Sequence, residues 1–152
     1  MAATVTENQP ATARTGPKTV LVVDDEASIR QLITVMLEVE GLRVLEADCG
    51  EAALEIIAAE QVDLITLDVM MPGLDGWEVA AELDRHERTA GIPRVMVSGV
   101  PIHQLQQEEG ATRASAVLAK PFDFVEFVDI ATRLLAGPID LPAPRNGEAL
   151  AG

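Results

Sequence analysis

The sequence predicts an α/β domain built on a doubly wound, five-stranded parallel sheet. Two observations carry this reading. Short apolar runs alternate with segments of helical periodicity five times along the chain, the pattern of a parallel sheet covered on both faces by its own crossover helices. The chain has 152 residues, 48% of them hydrophobic, which suits one ordinary domain with a proper core.

The elements follow in order. "TVLVV" (19–23), "LRVLEA" (42–47), "VDLITL" (62–67), "IPRVMV" (92–97) and "AVLA" (116–119) read as strands. Between the first two, Ile29, Leu32, Ile33, Met36 and Leu37 fall on one helical face, and Gly41 suits the end of that helix. Residues 50–60, "GEAALEIIAAE", are dense in helix formers. Gly76, Val79, Ala80 and Leu83 mark a third helical stripe, with Asp75 placed to cap it and Trp77 placed to pack. A fourth helix over 101–109 has only Ile102 and Leu105 to face a core. In the last helix Phe124, Phe127, Val128, Ala131 and Leu135 share a face. Residues 1–18 and 137–152 lack periodicity and are rich in Pro, Gly, Ala or Thr, so both read as flexible tails around a domain of residues 19–136.

Composition narrows the function. A formal net charge of −14 makes nucleic acid and anionic membrane surfaces poor partners. No apolar run approaches the roughly 20 residues that span a bilayer, and the first residues lack the apolar core of a signal peptide. Cys49 is the single cysteine and cannot form an internal disulfide, which fits a cytoplasmic protein. His86 and His103 lie on polar stretches and read as solvated.

The chemistry gathers at strand ends. Asp24 and Asp25 close the first strand, Asp68 the third ("LITLDVMMPGLDGWE"), Ser98 the fourth ("VMVSG") and Lys120 the fifth ("VLAKPF"). In an open α/β sheet ligands bind outside the carboxyl ends of the strands. If the first, third, fourth and fifth strands are neighbours, these groups share one rim. Adjacent carboxylates repel, and burying them costs several kcal/mol unless a cation compensates. An all-oxygen set with room for water and phosphate oxygens suits Mg²⁺. The lysine adds a point charge for a phosphate. The chain has nine arginines but only Lys18 and Lys120 as lysines, so a lysine kept before Pro121 points to the site. "MPGLDG" supplies a tight turn, with Pro72 fixing φ and Gly73 and Gly76 expected to supply unusual backbone angles.

At these residues, over roughly 18–137, the sequence resembles the receiver domain of two-component response regulators, of the stand-alone, CheY-like type. The acidic pair, the lone Asp, the Ser and the Lys-Pro each recur at the matching strand end. The resemblance implies a flavodoxin-like sheet of order 2-1-3-4-5. It implies that Asp68 accepts a phosphoryl group from a histidine kinase or phosphotransfer protein. It further implies that Mg²⁺ is held by Asp25, Asp68 and the backbone carbonyl of Met70, with Asp24 assisting through water. Lys120 would pair with the acceptor carboxylate and Ser98 would bond a phosphoryl oxygen. Such a protein is not an enzyme beyond its own phosphorylation and dephosphorylation. It would signal through a changed surface to a downstream protein, with a homodimer on phosphorylation as one form of output.

Three rival functions make different demands on these residues. A phosphohydrolase with a nucleophilic Asp calls for a second Asp where Met70 stands. A flavin binder would meet repulsion from Asp24, Asp25 and Glu26. A receiver-shaped binding module that works without phosphorylation is the serious alternative.

Overall fold

The computed structural model describes residues 16–99 and 114–136. Residues 1–15 of the expected N-terminal tail, the expected C-terminal tail at 137–152, and the helix expected over 101–109 with His103 lie outside the described residues. The elements are β1 (Thr19–Val23), α1 (Ala27–Val39), β2 (Arg43–Ala47), α2 (Gly50–Ala59), β3 (Leu64–Asp68), α3 (Gly76–Asp84), α4 (Glu87–Ala90), β4 (Arg94–Ser98), β5 (Ala116–Ala119) and α5 (Phe124–Leu135). The five strands form one parallel sheet in the order β2-β1-β3-β4-β5.

Alternation along each strand divides the core into two layers. Leu21, Val23, Ile65, Leu67 and Met96 point to the face covered by α2 and α3, where they meet Ala53, Ile57, Val79, Ala80 and Leu83. Val20, Val22, Leu64, Val95 and Val97 point to the opposite face, where Ile33, Leu37, Phe127, Ala131 and Leu135 cover them. Every residue of β1, β3 and β4 is buried, which is why these strands read as unbroken apolar runs rather than as alternating ones. β2 lies at one edge and exposes Arg43 and Glu46, charges that discourage pairing with another chain.

The stripe expected on α3 is the stripe observed: Gly76, Val79, Ala80 and Leu83 are its buried residues. Asp75 accepts from the Glu78 N–H while Glu78 accepts from the Asp75 N–H, each at 2.8 Å, a reciprocal capping box. Trp77 packs partly buried against the α2–α3 core. His86 is exposed, as expected, and its Nε2 lies 3.3 Å from Glu82.

The stripe on α1 needs correction. Leu32 is 42% exposed, and Thr34 is buried in its place. Thr34 continues the Ile33–Leu37 face, but a hydroxyl there weakens the apolar signal. Among the described residues its buried Oγ1 has no hydrogen-bond partner. An unsatisfied buried hydroxyl costs about 1–3 kcal/mol, and valine has nearly the same shape. Thr34→Val is therefore expected to stabilise the fold by about 1 kcal/mol, read from the urea midpoint at unchanged slope. A lower midpoint would show that the hydroxyl is satisfied in solution.

Candidate phosphoacceptor and metal site

The site lies where the topology changes direction. From β1 the chain crosses to β2 on one side, then returns to β3 on the other side of β1. The loops leaving β1 and β3 therefore diverge and leave a crevice at their C-terminal ends. Asp24 and Asp25 follow β1 directly, and Asp68 is the last residue of β3. One carboxylate oxygen from each of the three lies within 4.8 Å of the others.

Each side chain is held differently. Asp24 is buried. Its Oδ1 accepts from the Glu26 N–H at 2.8 Å, and its Oδ2 accepts from Lys120 Nζ at 3.0 Å. Asp68 is buried, and its Oδ1 accepts from the Met70 N–H at 3.3 Å. That bond keeps the loop carrying the Met70 carbonyl beside Asp68, while the Met70 side chain stands exposed. Asp25 is exposed, and among the described residues no hydrogen bond or ion pair holds its carboxylate.

Lys120 comes to the rim from the end of β5. Its N–H donates to the Ser98 carbonyl at 2.6 Å, and its peptide bond to Pro121 is cis. Its Nζ is 3.6 Å from Asp68 Oδ2. The lysine thus bridges both acids and lies closer to Asp24, where the expectation had been a pair with Asp68. With Asp24 Oδ1 turned to the Glu26 N–H, Oδ2 is left to face the ammonium. Ser98 is fully buried at the end of β4, one step beyond Val97, which pairs with Asp68. The expected residues therefore share one rim: Asp24, Asp25, Asp68 and Lys120 meet through their side chains, and Ser98 ends the neighbouring strand.

The loop after β3 explains its two glycines differently from the sequence expectation. Gly73 has φ +75°, a turn that favours glycine. Gly76 has no such angle and is required by closeness: a Cβ there would stand 2.5 Å from the Asp68 carbonyl oxygen and 2.8 Å from Val69 Cα. The Gly76 N–H donates to the Val69 carbonyl at 2.9 Å, so α3 starts against the backbone that carries Asp68.

The electrostatics leave the cluster short of positive charge. Burial, then the charge of Asp24, pushes the Asp68 carboxyl up to about 6; Lys120 and the Met70 N–H only partly offset this. Burial alone would lower the Lys120 ammonium, but its hydrogen bond to Asp24 and the charges of Asp68 and Asp24 outweigh it and raise the pKa. An all-oxygen donor set with excess negative charge fits a hard divalent cation such as Mg²⁺.

Sequence reasoning missed Arg30 and Glu46. Arg30 Nη1 donates to the Asp24 carbonyl at 2.8 Å, and its Nε donates to Glu46 Oε1 at 2.9 Å. A signal was present: a cation in the first turn of a helix opposes the helix dipole, so Arg30 needed another reason to be there.

Comparison with known proteins agrees with this geometry. Residues 20–132 match the family model of the response regulator receiver domain, and the chain belongs to that family. It is 40% identical over 131 residues to the phosphate regulon transcriptional regulatory protein PhoB of Pseudomonas aeruginosa, a match covering 84% of this chain and 56% of that protein. It is 34% identical over 132 residues to the DNA-binding dual master transcriptional regulator RpaA of Synechocystis, covering 86% and 55%. The chain thus spans about half the length of these curated relatives. Among solved structures, Vibrio cholerae chemotaxis protein CheY4 superposes with a TM-score of 0.73 at 29% identity, covering 78% of this chain and 99% of that one. The Thermotoga maritima response regulator TrrA in complex with Mg²⁺–BeF does so with a TM-score of 0.71 at 31% identity, covering 77% and 98%. Among the described residues no helix is long and apolar enough to cross a membrane.

Proposed function

We propose that this chain is a phosphoacceptor of two-component signalling that takes a phosphoryl group onto Asp68 from a histidine kinase or phosphotransfer protein. The observation that carries the reading is the placement of Asp68 at the end of β3, with Asp24 and Asp25 oxygens within 4.8 Å and Lys120 Nζ at 3.6 Å. A carboxylate oxygen of Asp68 attacks phosphorus while the bond to the donor breaks. Both partners are anionic, so positioning and charge neutralisation supply the catalysis. Asp25, Asp68 and the Met70 carbonyl would hold Mg²⁺. Asp24, with both oxygens engaged by Glu26 and Lys120, adds charge and would assist in holding the cation through water. When bound, Mg²⁺ supplies the positive charge that lets the acceptor and phosphoryl oxygens approach. Lys120 passes from its carboxylate partners to a phosphoryl oxygen, and Ser98 donates to another.

The product is a modified surface rather than a released compound, so the chain acts as a signalling protein in the cytoplasm and not as an enzyme on a separate substrate. PhoB and RpaA are transcriptional regulators by name. In this chain the charge of −14 favours a protein partner, or a second copy, over direct nucleic-acid contact.

The test is labelling by acetyl phosphate or phosphoramidate. One phosphoryl group per chain is expected, dependent on Mg²⁺ and lost in Asp68→Asn. Labelling that persists in Asp68→Asn, or that ignores chelation, overturns the assignment. A protein that never labels, yet binds its partner unchanged, is a binding module independent of phosphorylation.

A further inference from the structure

Asp25 has the least support of the three acids. It is exposed, and among the described residues nothing holds its carboxylate. A ligand without a side-chain anchor must be aimed by its backbone. The peptide group joining Asp24 to Asp25 sets the direction in which the Asp25 side chain leaves the chain, because its plane fixes the start of the Asp25 φ rotation. That plane is held by its carbonyl: Arg30 Nη1 donates to the Asp24 oxygen at 2.8 Å. The guanidinium is itself fixed from the other side, where Nε donates to Glu46 Oε1 at 2.9 Å. Glu46 is anchored on β2, paired in register with Val22 of β1. The preceding peptide is tied to the same strand, since the Asp24 N–H donates to the Ala47 carbonyl at 3.1 Å. The turn carrying the acidic pair is thus clamped between β2 and the first turn of α1. The rigid planar fork of arginine suits two acceptors at once.

We infer that Arg30, anchored by Glu46, is a positioning residue for the metal site: it aims Asp25 by holding the Asp24–Asp25 peptide. The inference rests on the reading of the acidic cluster as a Mg²⁺ site. Arg30 also carries positive charge close to that cluster, so two effects oppose each other. Coulomb repulsion alone predicts that removing the arginine tightens Mg²⁺ binding. Positioning predicts that removal weakens it, and outer partners of metal ligands typically contribute about 10-fold or more in affinity. The sign of the change therefore separates the two.

The experiment is calorimetric titration of the purified chain with MgCl₂ at pH 7. Wild type, Arg30→Met, Arg30→Lys and Asp25→Asn are compared, and the melting temperature of each metal-free protein is measured alongside. Arg30→Met is expected to raise the Mg²⁺ Kd about 10-fold. Arg30→Lys keeps the charge but lacks the fork, and is expected to raise it by a smaller factor. A role confined to fold stability would lower the metal-free melting temperature and leave the Kd of the folded protein unchanged. An unchanged or lower Kd in Arg30→Met, with binding still lost in Asp25→Asn, overturns the clamp and leaves the metal site standing. Should Arg30→Met not fold, an unchanged Kd in Arg30→Lys overturns the clamp in its place. A wild type that takes up no Mg²⁺ overturns the metal reading and the clamp with it.

Discussion

Asp68→Asn is expected to make the metal-free protein more stable at pH 7, by about 2 kcal/mol. The fold holds the Asp68 carboxyl at about 6, against an ordinary value of 3.8, first through burial and then through Asp24. An acid whose folded pKa is raised binds more protons folded than unfolded between those two values. Stability therefore falls as pH rises from about 4 to about 6, and above that range the cost is fully present. A shift of this size corresponds to about 3 kcal/mol at most; asparagine removes the charge but does not reproduce every contact of the neutral acid. The check is urea unfolding of both proteins in EDTA from pH 4 to pH 8. The difference between them cancels the other carboxylates. It should be small near pH 4, widen through pH 6 and then level off. Mg²⁺ should narrow it again, because a cation at ten times its Kd adds about 1.4 kcal/mol to the protein that binds it. Parallel curves with no pH-dependent gap would mean that Asp68 is not held against its charge.

Much of this was legible in the sequence because chemistry and topology coincide. The apolar runs ending in Asp24, Asp68, Ser98 and Lys120 mark both the strands and the ends that carry the candidate site. Buried parallel strands leave few other readings for such runs, and β1 and β5 have the limits expected. The stripe on α3 was legible because its buried positions are small or aliphatic without exception. On α1 the buried Thr34 and the exposed Leu32 trade the places their polarity suggests, and no periodicity in polarity can show that. Gly76 was identified as special for the wrong reason. Its need for closeness depends on where the Asp68 backbone passes, which is information about packing. The bridge from Lys120 to Asp24 and the hold of Arg30 on the Asp24 carbonyl are likewise contacts between distant segments. The short helix α4 went unread because four residues carry no period. Arg94 was hidden most fully: an arginine at the start of a strand suggests a solvated edge, yet this one is 2% exposed.

Replacing Arg94 should cost the fold much of its stability while leaving the rim intact. Its guanidinium lies at the start of β4, at the end of the sheet away from Asp68. Nη1 donates to the Ala80 carbonyl at 3.1 Å and to Asp84 Oδ1 at 2.9 Å. Nη2 donates to the carbonyls of Ala90 at 3.0 Å and Ile92 at 2.9 Å, and Nε donates to Ile92 at 3.1 Å. One buried cation thus gathers the end of α3, the end of α4 and the turn into β4, and the C-terminal end of a helix favours positive charge. Arg94→Met keeps much of the volume but strips the donors from the buried Ala80 carbonyl and from several partly buried acceptors. Asp84 is exposed and can be hydrated once the arginine is gone, whereas a buried acceptor left without a donor costs about 1–3 kcal/mol, so a loss of about 3 kcal/mol is expected here. Arg94→Lys should recover only part of it, since an ammonium on a flexible stem cannot serve acceptors spread over a planar fork. The measurement is the urea midpoint of each variant, with acetyl phosphate labelling of the folded fraction alongside. Because the Asp68 rim lies at the other end of the strands, labelling per folded molecule should match wild type. A loss under about 1 kcal/mol in Arg94→Met would instead mean that water replaces the arginine at those carbonyls.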